Sequence, residues 1–128
     1  MKNKRLGAWG EELAKNYLRN KGYIIKAQNL HLGHLELDLI AQKNGIIFLF
    51  EIKTRLIKIK TRSINYKLYT DNYLSQKQIL NLKKAASIYA TLNKLSFKNI
   101  NFGLITVTLT NTTDKQKTAT INLYLNIF

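Results

Sequence analysis

Asp38, Glu51 and Lys53 are the side chains whose types and spacing most directly suggest chemistry. Glu51 and Lys53 stand two apart in the run FLFEIKTR, Phe48 to Arg55. In a strand they share one face, while Phe48, Phe50 and Ile52 share the other. Between Asp38 and Glu51 lies Lys43-Asn44-Gly45, whose Asn-Gly pair suits the two-residue type I′ turn of a β-hairpin. With Asn44 and Gly45 as the loop, Lys43 pairs with Ile46, Asp38 falls opposite Glu51 and Glu36 opposite Lys53. A three-residue bulged loop would instead set Asp38 opposite Phe50. Opposed ladder positions hold their Cβ atoms about 4.5 to 5.5 Å apart, a separation at which two ionised carboxylates repel each other. A divalent cation relieves that repulsion. Hard oxygen ligands on adjacent strands suit Mg²⁺ or Mn²⁺, with water and a substrate phosphate completing the shell. The Lys53 ammonium would then hold the attacking water or stabilise charge in the transition state. The competing expectation is a solvated ladder of salt bridges among Glu36, Asp38, Glu51 and Lys53 on a half-exposed sheet. Ion-pair networks imitate functional clusters, and residue types alone do not choose between the two.

The elements that must position these residues can be read from periodicity. Leu6, Trp9, Leu13, Ala14, Tyr17 and Leu18 recur at helical spacing from about Lys4 to Lys21, with Trp9 as a core residue and Gly22 as the terminator. Strand-like runs follow over Tyr23 to Leu30, Leu35 to Gln42 and Ile46 to Thr54, forming a meander. Arg55 to Tyr73 mixes basic residues with Tyr66, Tyr69 and Tyr73 without a period, and reads as a long basic loop. Its tyrosines are either packing anchors or stacking platforms for unpaired bases. Ser75 and Gln78 form a capping box for a second helix ending near Lys94. Two alternating runs, Ile100-Phe102-Leu104 and Ile121-Leu123-Leu125-Ile127, close the chain around a polar turn at Asn111 to Asp114. His31 and His34 are expected at the surface of the sheet edge, too sparse to define a metal site.

Composition narrows the partners. The chain of 128 residues carries 21 Lys and Arg against 7 Asp and Glu, a net charge of +14, and this favours a polyanion such as nucleic acid. Its length suits one domain, residues 1–128. The absence of cysteine excludes disulfides, zinc-thiolate sites and thiol nucleophiles. No run approaches the ~20 apolar residues of a membrane span, and the basic start lacks the apolar segment of a signal peptide. A cytoplasmic protein without a membrane partner is the expectation.

Asp38 followed by Glu51-Ile52-Lys53 after a hairpin resembles the D…ExK core of the PD-(D/E)XK nuclease superfamily. With Gly7, Glu11, Ala14, Leu18, Gly22-Tyr23, Asn29, the run ELDLIA (Glu36 to Ala41) and FEIKTR (Phe50 to Arg55), the chain resembles the YraN family of bacterial endonuclease-like proteins. That family is similar to archaeal Holliday junction resolvases. The resemblance spans roughly residues 6 to 107. It implies an α/β fold with a restriction-endonuclease-like core, a mixed central β-sheet flanked by helices. It also implies that Glu11, Asp38, Glu51 and Lys53 converge at one edge: Asp38 and Glu51 on Mg²⁺ or Mn²⁺ with the Ile52 carbonyl, Lys53 at the water, and Glu11 in support. From the residues alone, Glu11 reads rather as a solvated helix carboxylate near a basic N-terminus. The chain departs from the family pattern at Leu35, where glycine is usual, at His31, where arginine is usual, and at Gly103, where an acid is usual. Gln78 aligns with a family lysine, with Lys77 beside it.

The expected function is therefore a metal-dependent nuclease hydrolysing DNA phosphodiester bonds, on branched or structured DNA by analogy with the resolvases. Arg55, Lys58, Lys60, Arg62, Lys77 and Gln78 are the expected phosphate contacts. The alternative is a non-catalytic nucleic-acid-binding module that retains the nuclease fold, and charge alone would also suit a ribosome-associated RNA-binding protein. A homodimer would follow from resolvase-like action, which cuts two symmetric strands.

Overall fold

The computed structural model of the chain describes residues 2–58, 74–111 and 117–128. Helix α1 (Lys2–Asn20) leads into strands β1 (Ile24–Leu32), β2 (Leu35–Lys43) and β3 (Ile46–Lys58). Helix α2 (Gln76–Leu92) then leads through a short 3-10 turn to β4 (Ile100–Asn111) and β5 (Lys117–Leu125). The five strands form one sheet in the order β1-β2-β3-β4-β5. Every neighbouring pair is antiparallel except β3 and β4, which run parallel. A parallel neighbour requires a crossover, and α2 lies within the connection that makes it. The architecture is the mixed α/β sheet with flanking helices expected above.

Each helix covers one face of the sheet. On one side Ala14 and Leu18 of α1 pack with Leu39, Ala41, Phe50, Ile52, Ile105 and Val107, with Trp9 half-buried against them. On the other, Leu82, Ala85, Ala86 and Ala90 of α2 pack with Leu37, Ile40, Leu49, Ile100 and Phe102. The small residues of α2 allow the helix to lie close to the strands. At its start Ser75 Oγ accepts from the Gln78 N–H while Gln78 Oε1 accepts from the Ser75 N–H, so the capping box forms as read. The helix ends at Leu92 with Asn93 as its cap, two residues before the expected Lys94.

Burial on both sides corrects one expectation. In β3, Phe48, Phe50 and Ile52 face α1, but Ile47 and Leu49 are also packed, beneath α2. The strand is apolar on both faces up to Glu51, unlike the half-exposed sheet that a solvated salt-bridge ladder needs. A second correction concerns Arg55 to Lys58, read as the start of a loop. They continue β3, paired residue by residue with Thr108 to Asn111 of β4. A parallel partner of matching length extends the strand beyond what its own alternation shows. Lys60, Arg62 and the tyrosines at 66, 69 and 73 lie outside the described residues, as does most of the expected polar turn near Asp114.

Two departures from the family pattern have packing reasons. Leu35 is buried in the core beneath α2, where glycine would leave a void. Gly103 lies directly under the Phe50 ring, so a Cβ there would collide with ring carbons and approach the Tyr124 carbonyl at 3.2 Å. An acid at 103 is incompatible with this placement of Phe50.

Candidate functional site

The hairpin register is the one the Asn-Gly turn predicts. Lys43 pairs with Ile46, and Asn44 and Gly45 both take positive φ, +53° and +77°, as a type I′ turn requires. Pairing continues to Leu39 with Phe50 and stops there. Asp38 and Glu51 are therefore not ladder partners, and neither are Glu36 and Lys53. The backbone group that would otherwise lose its partner is recovered by a side chain: Ile52 N–H donates to Asp38 Oδ2 at 3.0 Å. The Asp38 carboxylate thus stands in the place of a carbonyl where β2 leaves β3, with its other oxygen outside this bond.

The same level of the sheet is irregular in β1. Pairs Gln28–Leu39 and Leu30–Leu37 flank a missing pair, Asn29 with Asp38. Asn29 has φ +50°, a left-handed conformation that asparagine tolerates better than most residues. Both strands change face here. Leu37 packs on the α2 side and Leu39 on the α1 side, whereas strict alternation would keep them together. The break turns Asp38 into the space between strands and frees Asn29, whose Nδ2 donates to Glu11 Oε2 at 3.2 Å.

Glu11 is delivered by α1. Gly10 lies against Thr54 of β3 so closely that a Cβ would overlap the threonine side chain, and this contact brings the first half of the helix down onto the strand. Glu11 is half-buried. Burial, then the charges of Asp38 and Glu36, raise its pKa, while the Asn29 bond works against them. Glu51 is shifted much further, up to about 9. Burial is the largest cause, followed by a hydrogen bond with Asp38 and the Asp38 charge, and Lys53 offsets only part of it. Burial and the adjacent Asp38 carboxylate thus favour the protonated form of Glu51. A carboxyl group held in this way can exchange its proton for a metal ion.

Four of the seven acidic residues in a chain of net charge +14 therefore repel one another across a few strands. The salt-bridge ladder is not what relieves them. Glu36 approaches His31 at 3.8 Å, and Lys53 makes no ion pair among the described residues. Beside Glu51 opens a cleft of about 150 Å³ lined by His34, Leu35, Glu36, Gln78, Asn81 and Leu82. Gln78 thus reaches the site, although its Oε1 is engaged at the helix cap. Lys77 does not; it lines a separate groove with Ile79, Leu80 and Lys83. Arg55 is exposed further along β3, two residues beyond Lys53, and Lys58 ends the strand. The sequence reading missed His34 and Asn81 as cleft residues. Asn81 lies three residues after Gln78, one helical turn, and that spacing was the available signal. His34 is placed by the turn at Gly33, where φ is +66°.

Comparison with known proteins bears on this site because the matched region contains all four of these acids. The family described as "Uncharacterised protein family UPF0102" matches residues 10–107. A UPF0102 protein of Syntrophomonas wolfei is 37% identical over 105 residues, covering 82% of this chain and 85% of that protein. One from Dictyoglomus turgidum is 31% identical over 109 residues, 85% and 86% of the two chains. One from Bacteroides fragilis is 35% identical over 102 residues, 80% and 78% of the two. No described helix is long and apolar enough to cross a membrane. With the family match covering most of its length and relatives of comparable size, the chain belongs to the UPF0102 family, the family also called YraN.

Proposed function

We propose that this protein is a metal-dependent nuclease that hydrolyses DNA phosphodiester bonds, with Asp38 and Glu51 as the metal ligands. The observation that carries the proposal is the convergence of carboxylates in a strongly basic chain. Nothing in folding requires Asp38 and Glu51 to meet in a chain whose bases outnumber its acids threefold, and the cost is visible in the raised pKa of Glu51. The donor set suits Mg²⁺ or Mn²⁺. Asp38 is fixed by the Ile52 N–H at one oxygen, Glu51 lies within hydrogen-bonding reach of Asp38, and both are hard ligands. Among the described residues no group of three or more metal-ligating side chains stands together. Two carboxylates with the Ile52 carbonyl leave the rest of the shell to water and substrate, as Mg²⁺ commonly requires.

The bound ion would supply Lewis-acid polarisation of a phosphoryl oxygen and lower the pKa of a bound water. Lys53, on the same face of β3 as Glu51 and without an ion-pair partner among the described residues, holds the attacking water and stabilises the charge that develops on the phosphoryl oxygens. Glu11, bonded by Asn29, supports the site from the α1 side. Arg55 and the bases that follow it hold phosphates of the strand being cut, and Gln78 faces the same cleft.

A second reading, a DNA-binding module without hydrolysis, draws on one observation: Gly103 stands where the family usually has an acid, and the Phe50 ring leaves no room for one. Incubation of labelled linear, flapped and four-way DNA with Mg²⁺, Mn²⁺ or EDTA separates the two. The nuclease reading expects metal-dependent cleavage of at least one substrate, strongest on branched DNA. Binding to all three with no cleavage in either metal leaves the module. In both cases log affinity should fall with log salt at about −0.9 per phosphate neutralised on duplex, and neutralising Lys58, Lys60 and Arg62 together should make that slope shallower.

A further inference from the structure

The sheet has two edges, β1 and β5, and they are built differently. An exposed edge offers unpaired N–H and C=O groups to any other strand, and proteins usually blunt it with charges, bulges, proline or shortness. Edge β1 is blunted in three ways. It carries Lys26, its register shifts between Ile25 and Ala27, and Asn29 leaves the extended conformation altogether. Edge β5 has none of these over Thr118 to Leu125. It pairs with β4 without a shift from Lys117 against Asn111 to Leu125 against Gly103. Residues 118–128 contain no Asp, Glu, Lys or Arg, in a chain that is 22% charged. Only one uncharged run is longer, 99–113, and it contains β4, which is enclosed by strands on both sides. By composition β5 is an interior strand, yet it stands at the margin.

From these edges we infer that β5 is the docking surface for a second copy of this chain, the two β5 strands pairing antiparallel about a two-fold axis to join the two sheets into one. Charge restricts where a second copy can dock. Two molecules at +14 repel each other over most of their surfaces, and an uncharged edge is where their backbones can meet. A two-fold centred on Ile121 sets Lys117 of each copy against Leu125 of the other, which keeps the two Lys117 positions at opposite ends of the joint. The apolar side chains beside the strand agree with a covered surface. Leu125 is 44% exposed and Phe128 43% exposed, and the Phe128 ring packs at a tilt against Phe102 next to Phe97, itself 42% exposed. Lys117 at the start of the strand is its one cation, and residues 118–125 offer a polyanion nothing to bind, so nucleic acid is not the occupant. The inference rests on the two edges and not on the nuclease reading, and either can fail alone.

Sedimentation equilibrium over a range of protein concentrations tests it, without DNA or metal. The wild type is expected to sediment at about 30 kDa, twice the 14.8 kDa of one chain, and to dissociate on dilution. Thr120→Lys with Asn122→Lys adds charge at two exposed positions beside the proposed axis, where each lysine faces a lysine of the other copy. That variant is expected to sediment at the monomer mass while keeping the wild-type circular dichroism spectrum. Ile24→Lys, which charges the other edge, should leave the dimer intact. Amide exchange gives a second readout, with protection in β5 rising with protein concentration and protection in β1 unchanged. A wild type that is monomeric at all concentrations overturns the inference. So does a dimer indifferent to the two lysines, or one lost equally through Ile24→Lys.

Discussion

The two halves of the sheet follow opposite rules. Strands β3, β4 and β5 pair without a break, through Ile47–Ile100 to Lys58–Asn111 on one side of β4 and Gly103–Leu125 to Asn111–Lys117 on the other. Strands β1 and β2, by contrast, shift register near Lys26, lose a pair at Asn29 and Asp38, and part from β3 beyond Leu39 and Phe50. All the clustered acids lie in or against the irregular half. The comparison shows what a ladder excludes. In a regular sheet every backbone donor is spent on a neighbouring carbonyl and every side chain is sent to one face or the other. Only where the ladder is given up can a carboxylate enter the plane between strands, as Asp38 does at the Ile52 N–H. The clustered carboxylates of this fold are placed by interrupting the sheet, and the uninterrupted half supplies the rigidity that makes the interruption tolerable.

If that division is correct, changes where β2 has parted from β3, at Glu51 and Lys53 among others, should alter chemistry, and changes where the ladders are intact on both sides should alter stability. The largest effect is expected at Lys53. Lys53→Ala should lower the cleavage rate about 10²- to 10³-fold, the usual loss when one group stabilising transition-state charge is removed. Its Mn²⁺-induced stabilisation should persist, because Lys53 is not a ligand, and thermal denaturation with and without Mn²⁺ checks this.

Glu51 sharpens the comparison through pH. Without metal its pKa is about 9 in the folded protein against 4.5 for an ordinary glutamate. Between those values the folded state holds a proton that the unfolded state has released. The contribution of Glu51 to metal-free stability should therefore be greatest below about pH 4.5, fall as pH rises and level off above about pH 9. The expected scale is a few kcal/mol, since each tenfold difference in proton affinity is worth ~1.4 kcal/mol. Glu51→Gln, which is neutral throughout, should flatten that fall, and urea denaturation across the pH range measures it. Saturating Mn²⁺ should flatten it too, since the metal displaces the proton.

The smallest effect tests the regular half. Gly103→Ala should cost about 1–3 kcal/mol, because the Phe50 ring must move to admit a methyl group. The loss should be the same with and without Mn²⁺. A loss that appeared only in the presence of metal would mean that the two halves are not separable.

Much of the fold was legible in the sequence because its signals are local. The Asn44-Gly45 turn determined the register of β2 and β3, and Ser75 with Gln78 marked the start of α2 to the residue. Periodicity located α1 because its apolar face repeats over four turns. What escaped depended on partners far along the chain. The continuation of β3 to Lys58 comes from β4, which begins more than forty residues later. Burial of both faces of β3 comes from two helices that no window around Phe50 contains. The candidate site was legible as a set of residues, Asp38, Glu51, Lys53 and Glu11, but not as an arrangement. The two-residue turn put Asp38 opposite Glu51, and the structure brings them together by another route, through the end of the ladder and a side chain bonded to Ile52. Asn29 and Leu35 were visible only as pattern residues. Their physical reasons, a left-handed backbone that frees the Glu11 partner and a leucine filling the space under α2, emerge from three dimensions.

The central claim, that Asp38 and Glu51 are a ligand pair whose repulsion is relieved by a divalent ion, is tested most directly by calorimetric melting of the wild type and Asp38→Asn, each in EDTA and in millimolar Mn²⁺. Asparagine can still accept from the Ile52 N–H, so the variant should fold, and in EDTA it should be at least as stable as the wild type because one of the repelling charges is gone. Mn²⁺ should raise the melting temperature of the wild type by binding linkage and leave that of Asp38→Asn unchanged. A wild type whose melting temperature ignores Mn²⁺, or a variant stabilised by it as much as the wild type is, would contradict the account.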